Sequence, residues 1–398
     1  MRQQVVFMKK RFLALIFTAL LLSATGAAVF AARTIYVNDA ASTLYGWLTG
    51  KSALGSDGVM ALYGYNYYAL SADGLTELTY YNGGGTLAQM GGTVHLPTDR
   101  ISVGLCYASA YRDTTPKEAE LSNVIGNGFE FGSLDNRNYF TPFPGNPRTS
   151  EKQITIRPTG DTGLGVYSSR TGRLLYSAQS SGKDAYLAIR PISGIPNYLS
   201  NFNGRRYYGD FAFADLGNGK LTVVNAVNIE KYTMGVCLGE IGTGFAPEAT
   251  KAQAVAARTY AIYNYYSTTY NSVYGFNLTA DDYSQVYFGY TDSNNIISAV
   301  NSTANQYLTY QGSVICAMFF AADGGETIDS EEVMPVAMPY LRGVIDIYEY
   351  RVYEGEPRGH RIGMSQMGAL SMASYYGKTY GEILGFYYTN VAISNGYL

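Results

Sequence analysis

A chain of 398 residues with 28 Lys and Arg against 31 Asp and Glu is nearly neutral, and only 15% of it is charged. That balance provides no basic stripe for a nucleic-acid backbone, and three cysteines (Cys106, Cys237 and Cys316) permit at most one disulfide, which excludes a disulfide scaffold. The length is ample for one large or two modest domains, each with its own core.

Arg2, Lys9, Lys10 and Arg11 precede an uncharged stretch, residues 12–32, that closes on Ala31-Ala32. These are the basic, apolar and small-residue regions of a secretory signal, with Met8 as an alternative start. The same stretch reaches the roughly 20 residues needed to span a bilayer. A cleaved signal and a retained anchor are both consistent with it, and both put the remainder outside the cytoplasmic membrane. Residues 33–98 form a Tyr- and Gly-rich lead-in with turn signals such as Ser56-Asp57-Gly58, and no function attaches to them. The whole chain holds 39 Tyr and 45 Gly. Tyrosine serves wet β-surfaces and carbohydrate contact alike, and strand formation accounts for most of it.

Short apolar or β-branched runs at 101–107, 129–131, 153–156, 165–167, 174–176 and 186–189 predict strands separated by Gly and Asn/Asp clusters. Ser168-Ser169-Arg170-Thr171-Gly172-Arg173 predicts a hairpin turn, and Leu216-Gly217-Asn218-Gly219-Lys220 another before a strand at 221–227. Helices follow at 229–238 and 247–266. Pro247 suits the first helical position and Glu248 the first turn. Ala249, Ala252, Ala254, Val255, Ala256, Ala257, Ala261 and Ile262 make the second helix small-faced, as a core helix must be. Between the two, Gly239-Glu240-Ile241-Gly242-Thr243-Gly244 reads as a turn with one acid in it. Further on, a loop or strand is expected at 276–290, a helix at 295–303, and a hairpin of 306–310 and 314–320 turned at Gln311-Gly312. Ala321-Ala322-Asp323-Gly324-Gly325 reads as a sharp turn offering backbone N–H groups to a ligand. Helices at 368–375 and 380–387, broken at Gly377, and a strand at 391–393 complete the chain. Strands followed by helices without βαβ alternation predict an α+β fold, divided as 1–32 signal or anchor, 33–98 lead-in, 99–228 β-rich part and 229–398 mixed core.

The run Asn225-Ala226-Val227-Asn228-Ile229-Glu230-Lys231-Tyr232, with Gly235, Glu240, Pro247-Glu248-Ala249 and the helix from Lys251 through Arg258-Thr259-Tyr260, resembles the sporulation stage II protein D and LytB amidase-enhancer domain family. Ser284-Gln285-Val286-Tyr287, Gly324-Gly325-Glu326-Thr327, Pro339-Tyr340-Leu341-Arg342-Gly343-Val344 and Gly359-His360-Arg361-Ile362-Gly363-Met364-Ser365-Gln366 continue the match in order. The resemblance covers roughly residues 100 to 395. It implies a cell-wall protein acting on peptidoglycan glycan strands as a lytic transglycosylase, with Glu240 as its acid. By itself a Glu in a glycine turn is a solvated surface acid; the resemblance reverses that reading.

The resemblance also implies substrate contacts from Lys251, Gln253, Arg258, Tyr260, Gln285, Tyr287, Gly324, Gly325, His360, Ser365 and Gln366. For Arg258 a structural ion pair is an equal alternative, since a buried Arg is commonly paired. A His near glycine is more often a structural hydrogen-bonding group than a catalyst. Many relatives carry a metal-capable Cys before Gln-Val-Tyr, where this chain has Tyr283 and Ser284. With His95 and His360 its only histidines, no zinc site and no cofactor is expected. Three further departures are Ala321-Ala322 in place of hydroxyl residues, Arg361 in place of a glycine, and a segment shortened to residues 345–358. They favour a second reading, a non-catalytic wall-binding module that enhances an N-acetylmuramoyl-L-alanine amidase. A third reading is a secreted Tyr- and Gly-rich surface protein. The expected partners are glycan strands and, on the second reading, an amidase; a membrane is a partner only if residues 12–32 are retained.

Overall fold

The computed structural model describes residues 98–396 apart from 110, 111, 124, 161, 162, 180–185, 194–198, 216–218 and 267–274, together with the backbone of five short strands upstream. The predicted signal and His95 lie outside the described residues. The five strands are β1 (Ile35–Val37), β2 (Ala53–Leu54), β3 (Met60–Ala61), β4 (Tyr67–Ser71) and β5 (Gly74–Leu78). β1, β4 and β5 pair antiparallel in that order, and β2 pairs with β3. Compactness divides the chain into Gln89–Ala317 with Ser394–Leu398, and Met318–Ile393 with Met1–Ala88.

The first unit opens with β6 (Arg100–Cys106), β7 (Ala119–Asn123), β8 (Phe129–Leu134), β9 (Phe140–Pro142), β10 (Arg148–Thr149), β11 (Gln153–Thr159) and β12 (Gly163–Ser168). β13 (Leu174–Gln179), β14 (Leu187–Pro191), β15 (Leu199–Phe202), β16 (Arg205–Tyr208), β17 (Asp210–Asp215), β18 (Leu221–Asn228) and β19 (Leu278–Thr279) follow. One sheet runs β10-β8-β14-β17-β18-β6-β19 with β9 beside β8; the other runs β13-β12-β11-β7-β15-β16. Pairing is antiparallel except for β19 on β6. Phe202 on β15 meets Phe211 on β17, and Phe131 on β8 stacks on Tyr176 of β13, so rings from the two sheets share one core. β18 is buried over seven consecutive positions, which places it between layers on both faces.

Where β18 ends, Asn228 caps α1 (Ile229–Ile241), its side chain accepting from the N–H groups of Glu230 and Lys231. Then come α2 (Pro247–Tyr266), α3 (Asn294–Ser302), β20 (Gln306–Tyr310) and β21 (Ser313–Val314). Met234, Cys237 and Ile241 of α1, Ala254 of α2, and Ile296 and Val300 of α3 form one apolar cluster. The alanines of α2 are almost wholly buried, which lets both neighbouring helices approach its backbone closely. Helix α1 is three residues longer than the sequence reading of 229–238, so Glu240 stands in its last turn and not in a glycine turn. Gly242, at φ +66°, ends the helix instead.

In the second unit, β22 (Phe319–Phe320) pairs parallel with β23 (Met364–Ser365). Ser365 caps α4 (Gln366–Tyr376) by accepting from Gly368 N–H, and Gly377 closes that helix in the left-handed conformation. Thr379 and Glu382 make a reciprocal cap on α5 (Tyr380–Tyr387), and β24 (Ala392–Asn395) follows. The architecture is α+β. Among the described residues no helix is long and apolar enough to cross a membrane.

Candidate functional site

Gly235 and Gly239 lie four residues apart, on one face of α1, and the loop 284–289 rests directly on them. A Cβ at 239 would fall 2.2 Å from Val286 O, and one at 235 would fall 2.4 Å from Gly289 O and from the Tyr287 ring. No side chain but hydrogen fits there. The approach brings Phe288 N–H to the Gly235 carbonyl at 3.1 Å and Val286 N–H to Glu240 Oε1 at 2.8 Å. Glu240 is half-buried. It stands in the last turn of α1, and its Oε1 accepts the amide N–H of Val286.

Gln285 and Tyr287 flank that amide, and both are 1% exposed. Their segment is an irregular loop, not a strand, and both polar groups are engaged inside the protein. Tyr232 Oη donates to Gln285 Oε1 at 2.9 Å, and Gln285 Nε2 donates to the Ala257 carbonyl of α2. Tyr287 Oη donates to Asn225 Oδ1 at 2.9 Å, while Asn225 Nδ2 is fixed on the Tyr208 and Asp210 carbonyls. The Tyr232 and Tyr287 rings lie 5.0 Å apart. Burial first, and then neighbours that include Glu240, raise the Tyr232 hydroxyl well above its ordinary value and keep it neutral. Ser284, in the position of the relatives' cysteine, accepts Thr279 N–H at 3.0 Å.

On α2, Gln253 is 1% exposed, and neither atom of its amide meets a hydrogen-bond partner among the described residues. It sits one helical turn before Ala257, whose carbonyl holds Gln285. A buried amide in that condition carries a desolvation penalty. Tyr260, half-buried, follows Gln253 by seven residues on the same face.

Arg258 resolves to its structural alternative. It is fully buried, with Nε and Nη2 on the Glu230 carboxylate at 2.5–3.1 Å, Nη1 on the Gln306 carbonyl and Nη2 also on that of Val300. It therefore joins α1, α2, α3 and β20. Lys251 pairs with Glu248 at 2.6 Å, one turn back on the half-exposed face of α2.

The remaining predicted residues belong to the second unit. Gly324 and Gly325 have φ of +69° and +110°, the conformations the double glycine supplies. The N–H groups expected to face a ligand turn inward: those of Asp323 and Gly324 donate to Glu349, and that of Gly325 donates to Asp323 Oδ1. His360 packs against Phe320, and its Nδ1 accepts Ile362 N–H at 3.1 Å. Burial pushes its imidazole below the ordinary value. Ser365 is buried, donates to Glu349 and caps α4; Gln366, 5% exposed, begins that helix. Sequence reasoning missed Tyr232 and Asn225, which hold the loop, and Asp346 and Glu349, which organise the Asp323-Gly324-Gly325 turn. The spacing of Gly235 and Gly239 was the available signal for the loop's seat.

Residues 217–310 match the family model described as SpoIID, stage II sporulation protein. The chain is 34% identical over 134 residues to Stage II sporulation protein D of Bacillus subtilis (strain 168), covering 30% of this chain and 39% of that one. It is 34% identical over 156 residues to the Amidase enhancer of the same strain, covering 39% and 21%. An uncharacterized protein of Brachyspira hyodysenteriae (strain ATCC 49526 / WA1) is 41% identical over 143 residues, covering 36% and 38%. The matches therefore span well under half the length of these relatives. Together they show a likeness to the SpoIID/LytB family, carried by residues 217–310 in the family model.

Proposed function

We propose that the chain is an exported peptidoglycan-remodelling enzyme, a lytic transglycosylase that cleaves glycan strands between N-acetylmuramic acid and N-acetylglucosamine through Glu240. The observation that carries this reading is the half-buried Glu240 carboxyl group, which accepts Val286 N–H at 2.8 Å at the loop seated on α1. Protonated Glu240 gives its proton to the glycosidic oxygen as the C1–O bond breaks. The resulting carboxylate then takes the proton of the sugar's own 6-hydroxyl as that oxygen bonds to C1. One group serves as acid and then as base, so the second carboxylate of an ordinary glycosidase is not required. Gln253 supplies a donor and an acceptor suited to an acetamido group, while Gln285 and Tyr287 act by positioning the loop.

Glu240→Gln retains the shape of the side chain and removes the transferable proton. Cleavage of purified glycan strands by this variant is expected to fall by about 10² or more with binding retained, and the parent's products are expected to end in 1,6-anhydro-N-acetylmuramic acid. Unchanged cleavage by the variant would remove Glu240 from the mechanism. The 34% identity to a protein named Amidase enhancer favours a second reading, a wall-binding module that stimulates an amidase. Glycan binding without cleavage by the parent, together with stimulation of an N-acetylmuramoyl-L-alanine amidase, would establish it. Export rests on residues 1–32, and mass spectrometry of extracellular protein is expected to find a mature start near Ala32 or Arg33.

A further inference from the structure

The loop after β22 and the short segment 345–358 place three acids together. Asp323, Asp346 and Glu349 are 0%, 3% and 1% exposed, and each offers a carboxylate oxygen within 4.8 Å of the others. Every donor that reaches them is neutral. Glu349 receives the N–H groups of Asp323 and Gly324 and the Ser365 hydroxyl. Asp346 Oδ1 receives the N–H groups of Tyr348 and Glu349, and its Oδ2 receives the Tyr387 hydroxyl. Asp323 Oδ1 receives Gly325 N–H, and the Asp323 and Asp346 carboxyl groups lie within hydrogen-bond reach of each other, while no N–H or hydroxyl of the described residues reaches the fully buried Asp323 Oδ2.

Backbone amides and hydroxyls do not offset three buried negative charges, which need a cation or protons. A carboxylate offers about four lone-pair positions. With the donors above, and the Asp323 N–H spanning both oxygens of Glu349, Asp346 keeps one position and Asp323 Oδ2 accepts from no N–H or hydroxyl. A single shared proton offsets one of the three buried charges, whereas a divalent cation offsets two. We propose that Asp323, Asp346 and Glu349 bind one hard divalent cation of the calcium type, which ties the 323–325 turn to the 345–358 segment and α5.

Calcium takes oxygen ligands at about 2.3–2.6 Å, so two ligands of one ion lie at most about 5 Å apart, as these oxygens do. Its irregular coordination suits a donor set fixed by the fold, while magnesium demands a near-ideal octahedron and retains waters. The absence of nitrogen or sulfur ligands argues against zinc. The site is independent of Glu240, and it differs in kind from the Cys and His site whose ligands this chain lacks. Gly368 belongs to its construction, since a Cβ there would fall 2.1 Å from Asp346 Oδ2 and 1.8 Å from Tyr387 Oη.

The test uses the full chain. Elemental analysis after exhaustive dialysis is expected to find one calcium per chain. Thermal unfolding of EDTA-treated protein is expected to shift upward by about 4 °C or more with millimolar calcium chloride, and by less with magnesium chloride. Asp323→Asn removes one negative ligand while its amide can still donate to Asp346, so it separates the ion from a shared proton. The calcium response is expected to vanish in this variant. No retained ion and no calcium-dependent shift in the parent would overturn the proposal, whether or not the variant folds, and would assign the cluster to a shared proton. A calcium response surviving in Asp323→Asn would overturn the choice of residues, and an equal response to magnesium the choice of ion.

Discussion

A methyl group at position 239 would stand 2.2 Å from a backbone oxygen, so either helix α1 or the loop 284–289 must move to admit it. Gly239→Ala is therefore expected to destabilise the protein by about 1–3 kcal/mol, read by urea denaturation, and to lower any glycan cleavage by displacing Val286 N–H from Glu240. This holds although alanine is the better helix former. His360 supports a pH prediction. Its folded-state value lies below the ordinary 6.5, so the unfolded chain binds the extra proton more readily. Stability from a neutral His360 is thus fully present above about pH 6.5 and is lost as pH falls from there through the folded value. Protonation would also cost Nδ1 its role as acceptor for Ile362 N–H. The difference in denaturation midpoint between pH 7 and pH 5 is expected to be larger in the parent than in His360→Asn. Arg361 adopts φ +62°, and its ion pair with Glu326 at 2.9 Å holds the strained residue.

At the scale of elements, the helix-initiating Pro247, the hairpin turn after β12 and the α2 alanine pattern were legible because each is a local signal. The end of α1 was not, because glycines 239, 242 and 244 look alike in sequence. Only the loop packed on Gly239 separates a contact glycine from a terminating one. The weakly apolar β7, Ala-Glu-Leu-Ser-Asn, was missed for a related reason: its alternating burial becomes visible only once Leu121 has a facing sheet. Gln253 and Arg258 could be named in sequence, but not their conditions, one without a hydrogen-bond partner among the described residues and the other bonded to three residues. Removing Arg258 should be costly, since it takes the buried cation from the Glu230 carboxylate and one donor each from the Val300 and Gln306 carbonyls. Arg258→Met is expected to lose about 3–5 kcal/mol by urea denaturation, a loss spread over α1, α2, α3 and β20.

Across the whole molecule, the three cysteines are buried outside any disulfide, and burial pushes each thiol up to about 12. The permitted disulfide does not form, and none of these thiols has the thiolate character that oxidation requires. Dithiothreitol is expected to leave the unfolding midpoint unchanged. A thiol reagent should label none of the three in the native state and all of them in denaturant; labelling of Cys237 alone would instead report local opening of α1. In both units the helices were foretold by local signals, those of the second down to the break at Gly377. What the sequence did not reveal there is the role of the short 345–358 segment, whose acids organise the 323–325 turn.

The glycine seat on α1 also turns two amides into sentinels. Val286 and Phe288 lie in a loop without regular structure, where backbone N–H groups usually trade hydrogen for deuterium quickly, yet each donates to α1, one to Glu240 and one to Gly235. Their exchange is therefore expected to keep pace with the interior of α1 and not with the loop's other positions. Mass-resolved exchange over 284–290 would then watch the acid's setting directly, with no substrate present. A change anywhere in the chain that loosens the seat would register there before the fold itself gives way.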